Sequence, residues 1–334
     1  MRRLLCFVVA VLGTGCGHTV FNSMEGWKAV KTKHFTFYTT TSQLYTTTLV
    51  AAEHSYSAMA SSYFKSADVG NVEVLFLEND DFGGLMGYKR SVAVLAKVPG
   101  NGKIGQNGLI IMQSDPTGRS AHGALMHLFV QKSLPHAPLW VHEGMAGYAG
   151  TMVVMGGGGG QTACFGRPMS GRGSLIPLKE LFALDWDQFA EGPRQWYHHT
   201  AAVLMDFVLH ADKARYRDRL GPMFERVSGG EPAPQVFSAV FPELPLDVLD
   251  ARISDHQQDL IHIAGTPVRG RCPMGFDIPA QNIADPEQRE ITAVAPADMT
   301  ELMNALKKLP RRDEGYPAWY PPEVSARVEA GPAR

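Results

Sequence analysis

The chain has 334 residues, 45% hydrophobic and 19% charged, the balance of a globular protein rather than of a disordered segment. Its formal net charge is −2, and both signs are mixed along it without a like-charged run. Neither an overall basic character nor a charged tail is present, so no nucleic-acid partner is expected.

Arg2 and Arg3 precede an unbroken apolar run from Leu4 to Leu12, and Gly13-Thr14-Gly15 then leads into Cys16. The run is far shorter than the roughly 20 residues needed to cross about 30 Å of hydrocarbon, so it reads as a secretory signal. A cysteine directly behind small residues resembles a bacterial lipobox. That resemblance implies that Cys16 is acylated and becomes the N-terminus of an envelope lipoprotein anchored to the membrane. Gly13 stands where leucine is more usual, with Leu12 one place early; the plain alternative is ordinary cleavage with Cys16 incidental. Gly17 lacks the aspartate associated with inner-membrane retention, which points to the outer membrane. Once Cys6 is removed and Cys16 carries lipid, Cys164 and Cys272 remain as a candidate disulfide in an oxidising compartment. A bridge requires their Cα atoms within about 7 Å, which spacing alone does not set.

Residues 17–30 read as a tether. Lys33 to Thr39 alternates around Phe35 and Phe37 as a half-buried strand does. Ser42 offers an N-cap for a long helix whose apolar stripe runs through Tyr45, Leu49, Ala52, Tyr56, Met59 and Tyr63. Val72, Val74 and Phe76 alternate again before the loop glycines Gly83, Gly84 and Gly87. Val92 to Val98 and Leu109 to Met112 follow as sheet strands. Asp115-Pro116 opens a helix that Pro135 must end, near Leu134. A second helix starts near Pro138. Gly156 to Gly160 read as loop, because a helix would lose about 1 kcal/mol at each relative to alanine. They lack the Lys-Ser/Thr ending of a phosphate loop, which excludes nucleotide binding by that motif. Further helices are predicted at Pro177 to Phe189, Trp196 to Ala211, Lys213 to Val227 and Leu246 to Ile263. Residues 265–334 are proline-rich with one helix, Ala297 to Leu309, and read as a C-terminal extension.

Histidines gather at His122, His127, His136 and His142, with a second pair at His198 and His199. Such clustering beside a glutamate invites a metal reading. The segment Pro138-Leu139-Trp140-Val141-His142-Glu143-Gly144-Met145-Ala146-Gly147-Tyr148 matches closely a P-x-W-x-x-E-G-x-A-x-Y pattern. With it, roughly residues 27–262 resemble the peptidase MA-like, or gluzincin, zinc metallopeptidases. The stretch Leu175 to Leu181 and the helix after Tyr197 are similar to that family too. The resemblance implies an α+β fold, with a small twisted N-terminal sheet and a helical half that meet at a substrate cleft. It divides the chain into a signal at 1–16, the tether at 17–30, a peptidase MA-like domain at 31–264 and the extension at 265–334. It also implies that Glu143 is the third zinc ligand, and gives His198 or His199 a part in holding an oxyanion.

The first motif of that family, H-E-x-x-H, is degenerate. Aligning His127 with its second histidine puts Gly123 at the first and Ala124 at the catalytic glutamate. Histidines four apart lie about 40° apart on a helix and can share a metal; the glutamate moves a proton from zinc-bound water to the leaving amine. Gly123 and Ala124 can do neither. His122 is five residues from His127, about 140° away on a regular helix, so only a π-bulge would bring the two together. Hence the expectation is an envelope lipoprotein whose metallopeptidase-like domain is inactive, takes no cofactor and binds protein or peptide. One alternative is an active zinc peptidase with relocated ligands His122, His127 and Glu143; another is a structural envelope lipoprotein. Without metal, Glu143 pairs with a histidine or caps a buried network, His127 is a hydrogen-bonded core residue, His142 faces the surface, and Tyr148 and Tyr197 are packing residues. No G-x-S-x-G elbow is present, and Cys164 has no motif that would make it a nucleophile.

Overall fold

The computed structural model describes residues 24–41, 44, 46–62, 64, 69–78, 85, 94–96, 103–105, 108–113, 121–134, 137–150, 152–157, 160–165, 174–185, 188–189, 192–264, 275–278 and 289–307. The leader with Cys16, the Ser42 cap, Tyr45, Tyr63, the glycines at 83, 84 and 87, Asp115-Pro116, His136 and Cys272 lie outside them. The fold is α+β. In chain order its elements are β1 (Lys28–Lys31), β2 (Phe35–Thr39), α1 (Thr46–Ser62), β3 (Val72–Leu77), β4 (Val94–Ala96), β5 (Leu109–Gln113), α2 (His122–Ser133) and α3 (Leu139–Ala149). There follow β6 (Met152–Gly157), β7 (Gly160–Phe165), α4 (Leu178–Ala183), α5 (Arg194–Ala214), α6 (Leu220–Ser228), α7 (Ala233–Val240), α8 (Leu246–Ala264), β8 (Gly275–Ile278), β9 (Glu290–Ala293) and α9 (Pro296–Lys307).

Six strands form the main sheet in the order β4-β5-β3-β2-β1-β9. β2, β3 and β5 are mutually parallel, while β4, β1 and β9 each run antiparallel to their inner neighbour. The period-two alternation decides which side chain goes to which face. Phe35, Phe37, Val72, Val74, Phe76, Ile110 and Met112 meet α1 and α2 in the larger core. Tyr38, Leu75, Leu77, Leu109 and Ile111 turn to the opposite face, where Met299, Leu302, Met303 and Leu306 of α9 cover them together with Trp27. Both faces are therefore apolar and both need a helical layer. Among the described residues, no helix is long and apolar enough to cross a membrane.

Four expectations change. The stretch read as a tether ends in β1, and the stretch read as an extension contributes β9, paired to β1 from Lys28↔Ala293 to Lys31↔Glu290. A four-residue strand is too short to announce itself by periodicity; its pairing is fixed by residues some 260 positions away. The glycines at 156, 157 and 160 are strand rather than loop. Gly156 pairs with Gln161 and Gly157 with Gly160 in a hairpin, to which β8 adds a third strand. The register runs unbroken from Met152↔Phe165 to Gly157↔Gly160, and glycine removes no ladder hydrogen bond. The helix expected from Lys213 instead starts at Leu220. Asp212, Lys213 and Ala214 have φ of 50°, 60° and 63°, a left-handed path in which Asp212 Oδ2 accepts from Tyr216 at 2.7 Å and from Arg252 at 2.6 Å. α7 was not foreseen.

At the N-terminal corner, Glu53 on α1 is 1% exposed yet fully satisfied. Its carboxylate accepts from the Thr32 hydroxyl at 2.6 Å, the His34 amide at 2.8 Å and His34 Nδ1 at 2.6 Å. The His34 ring stacks on Tyr56 with centroids 4.1 Å apart. Burial alone raises the pKa of such a carboxyl, but the hydrogen bonds from His34 and Thr32 outweigh it and hold Glu53 below its ordinary 4.5. A lowered folded pKa gives stability that is complete above the unfolded value and is lost as pH falls through the folded one. The stability difference between the wild type and Glu53→Gln is thus expected to be largest above about pH 4.5 and to shrink below it, read by urea melts across pH; a constant difference would contradict the pairing. Truncation of α9 by Leu302→Ala is expected to cost about 2–5 kcal/mol in the same assay, and a cost below about 0.5 kcal/mol would detach α9 from the core.

Candidate functional site

The site is built on α3, which carries the Glu143-Gly144-x-Ala146-Gly147 sequence. Pro138 precedes the helix with an extended backbone, and its carbonyl accepts from Val141 N at 3.0 Å and His142 N at 3.3 Å. Of the helix's residues only Gly147 is not buried, so α3 is enclosed by its neighbours rather than laid on a surface. Trp140 fills the space toward Phe182 of α4, with ring centroids 5.0 Å apart.

Glycines set how near those neighbours come. A Cβ on Gly144 would lie 2.7 Å from the carbonyl oxygen of Ala201 on α5. One on Gly147 would lie 2.7 Å from Ala202 Cβ and 3.1 Å from His198 Nε2. On α2, a Cβ at Gly123 would lie 3.3 Å from the carbonyl oxygen of Ala146. Since Gly123 faces Ala146 and His127 approaches Glu143, α2 and α3 run antiparallel, as their short connection requires.

Three of the sequence-predicted residues meet here. His198 Nδ1 donates to Glu143 Oε2 at 2.8 Å, and His127 Nε2 lies 3.9 Å from Glu143 Oε1. His127 and His198 keep part of their surface in solvent while the carboxylate is nearly enclosed. Burial lowers the His127 pKa; the Glu143 charge opposes this and His198 reinforces it. His142 does not face the surface as expected. It is 3% exposed, and its ring lies 6.3 Å from that of His127. Burial, with His127 alongside, holds its pKa well below the ordinary 6.5, so it is a neutral core residue. The reason is the enclosure of α3 on all sides, which a single-helix pattern does not reveal.

His122 and His199 stand apart. His122 Nε2 is 2.8 Å from the hydroxyl of Ser55 on α1. That hydroxyl donates its proton to Ala51 O at 2.6 Å, so its oxygen accepts from His122 Nε2–H. Both side chains are buried, and the pair is a packing contact between helices rather than an activated nucleophile. His199 Nε2 accepts from the Gln257 side-chain amide at 2.8 Å. Tyr148 is buried with its hydroxyl 3.0 Å from His210 Nε2, and Tyr197 is buried among Phe189 and its neighbours. Cys164 lies in β7 opposite Gly275; its candidate partner Cys272 is outside the described residues. Sequence reasoning missed the polar groups Ser55, Glu53, Asp206, His210 and His256. Of these only the four-residue step from Asp206 to His210 on one helix was a readable signal.

The zinc implied by the resemblance does not fit these residues. Gly123 and Ala124 carry no donor, and His122 is turned to α1. Among the described residues no group of three His, Cys, Asp or Glu side chains is placed to hold a metal ion. What remains is a carboxylate flanked by two imidazoles, which offers hydrogen-bond acceptors and donors at a partly open edge.

The close approach of α3 and α5 predicts that Gly144→Ala destabilises the fold by about 1–3 kcal/mol, since the obstructing atom is backbone. Gly221→Ala on α6, where no atom lies within 4 Å of the added methyl, is expected to stabilise by about 0.4–1 kcal/mol. Thermal melts of the two variants check both signs, and a neutral Gly144→Ala would refute the packing.

Comparison with known proteins finds no matching family model, no matching curated protein and no matching solved structure.

Proposed function

We propose that the chain is a cell-envelope lipoprotein, anchored through Cys16 at the outer membrane, whose metallopeptidase-like domain binds a protein or peptide segment without hydrolysing it. The leader Arg2 to Cys16 supports the anchor. The observation that carries the rest is the bond from His198 to Glu143 at 2.8 Å, beside a helix that offers Gly123 and Ala124 where a ligand and a base would stand. In this reading His198 holds Glu143 in place, while Gly123 and Ala124 supply neither a metal donor nor a proton carrier. A carboxylate and two imidazoles at a partly open edge are of the type that hydrogen-bonds the amides and carbonyls of an extended chain.

Two measurements on the full-length protein in detergent test this reading. A mixture of quenched fluorescent peptides, with zinc added, is expected to show no cleavage above that of Glu143→Ala. Peptides from the same mixture are expected to bind, with affinity about tenfold weaker or worse after His198→Ala, a loss of about 1.4 kcal/mol. Zinc-dependent cleavage that Glu143→Ala abolishes would make the protein a hydrolase with relocated ligands. Absence of binding, or binding indifferent to both substitutions, would leave a structural lipoprotein.

A further inference from the structure

A second cluster of titratable groups is buried in the helical half, away from Glu143. Asp206 and His210 lie one turn apart on α5, His256 reaches them from α8 and Tyr148 from α3. Asp206 is 0% exposed. Its Oδ1 accepts from His256 Nε2 at 2.8 Å, whereas its Oδ2 has no hydrogen-bond partner among the described residues and lies 3.9 Å from His210 Nε2. That same nitrogen is 3.0 Å from the Tyr148 hydroxyl. A buried carboxylate oxygen without a donor is costly. A neutral His210 whose Nε2 accepts the Tyr148 proton has no hydrogen on that atom to offer.

We propose that Tyr148, His210 and Asp206 form a proton-operated latch between α3 and α5: when His210 takes up a proton, its Nε2–H leaves Tyr148 and donates to Asp206 Oδ2. The proton comes from solvent and stays on the imidazole, Asp206 remains a carboxylate, and Tyr148 keeps its hydroxyl hydrogen but no longer has His210 as an acceptor. A shift of about 1 Å brings Nε2 into hydrogen-bond range, and a charge-assisted bond is about twice as strong as a neutral one. In the neutral state Tyr148 ties α3 to α5. In the protonated state the bond is internal to α5, and this one hydrogen bond to α3 is given up while the His198–Glu143 bond and the packing at Gly144 and Gly147 remain. Among the described residues, other charged or titratable groups near the cluster have partners of their own, and Arg217 donates to the Leu209 carbonyl beside His210 at 3.3 Å. His256 holds Oδ1, and His199 is bonded to Gln257. Arg252 lies over the Phe207 ring at 5.2 Å with its hydrogen bonds on Asp212 and Tyr216. Because Tyr148 shares its helix with Glu143, release would loosen the element that carries the site. The latch itself does not depend on what that site binds.

Ring-resolved NMR titration of the histidines in the full-length chain tests the latch. His210 is expected to carry its neutral-state proton on Nδ1 and to titrate at least about one pH unit, or tenfold in proton affinity, higher in the wild type than in Asp206→Asn. Tyr148→Phe removes the partner of the neutral form and is expected to raise the midpoint further. Amide-exchange protection along α3 should fall on acidification in the wild type, and stay level in Tyr148→Phe. Equal midpoints in the wild type and Asp206→Asn, or a Tyr148→Phe midpoint at or below that of the wild type, would overturn the proposal. Should Asp206→Asn fail to fold, the Tyr148→Phe comparison decides alone.

Discussion

Glu143 is a carboxylate on a helix that its neighbours enclose, and the helical half is arranged around meeting that demand. A charged group in such a place needs partners within the protein, since leaving it unpaired costs about 1–3 kcal/mol or more. The glycines at 144 and 147 answer it indirectly. By presenting no side chain they let α5 come close enough for backbone atoms of Ala201 to touch α3, and at that distance His198 reaches the carboxylate. Packing and electrostatics are thus one device. Widening the gap between α3 and α5 would both open the core and leave Glu143 without its nearest donor.

The sheet is organised by a comparable constraint on its two faces. Alternation in β2, β3 and β5 sends apolar side chains both ways, so neither face tolerates water. α1 and α2 come from the chain that immediately follows or flanks these strands. α9, on the other face, comes from the far end of the sequence. Beyond α8, the described β9 and α9 therefore close the main sheet, and β8 adds a strand to the second sheet.

Legibility in the sequence followed from how local each cause is. The strands around Phe35, Val72 and Leu109 and the helix after Pro138 were readable because alternation, proline and apolar stripes act within a few residues. β1, β8 and β9 were not, because four-residue segments such as Lys-Ala-Val-Lys and Glu-Ile-Thr-Ala acquire meaning only from partners elsewhere. In the site, the meeting of His127, Glu143 and His198 depends on three helices. Sequence spacing could supply only one relation within it: His122 and His127, five apart on a regular helix, reach different neighbours, α1 and α3. The burial of His142 had no local sign at all.

Gly123 and Ala124 are more than missing letters of a motif. Gly123 sits where α2 passes the backbone of Ala146, and any side chain there meets that carbonyl at 3.3 Å, so a histidine would have to push the two helices apart by a few tenths of an ångström. Ala124 is 5% exposed among Leu125, Leu128 and the other residues of the larger core. A carboxylate at that position would be desolvated, and a group that must exchange protons with water would have little water to exchange with. Packing thus resists a histidine at 123 and a glutamate at 124. On the facing helix, Glu143 stays paired to His198 at an edge that is partly open.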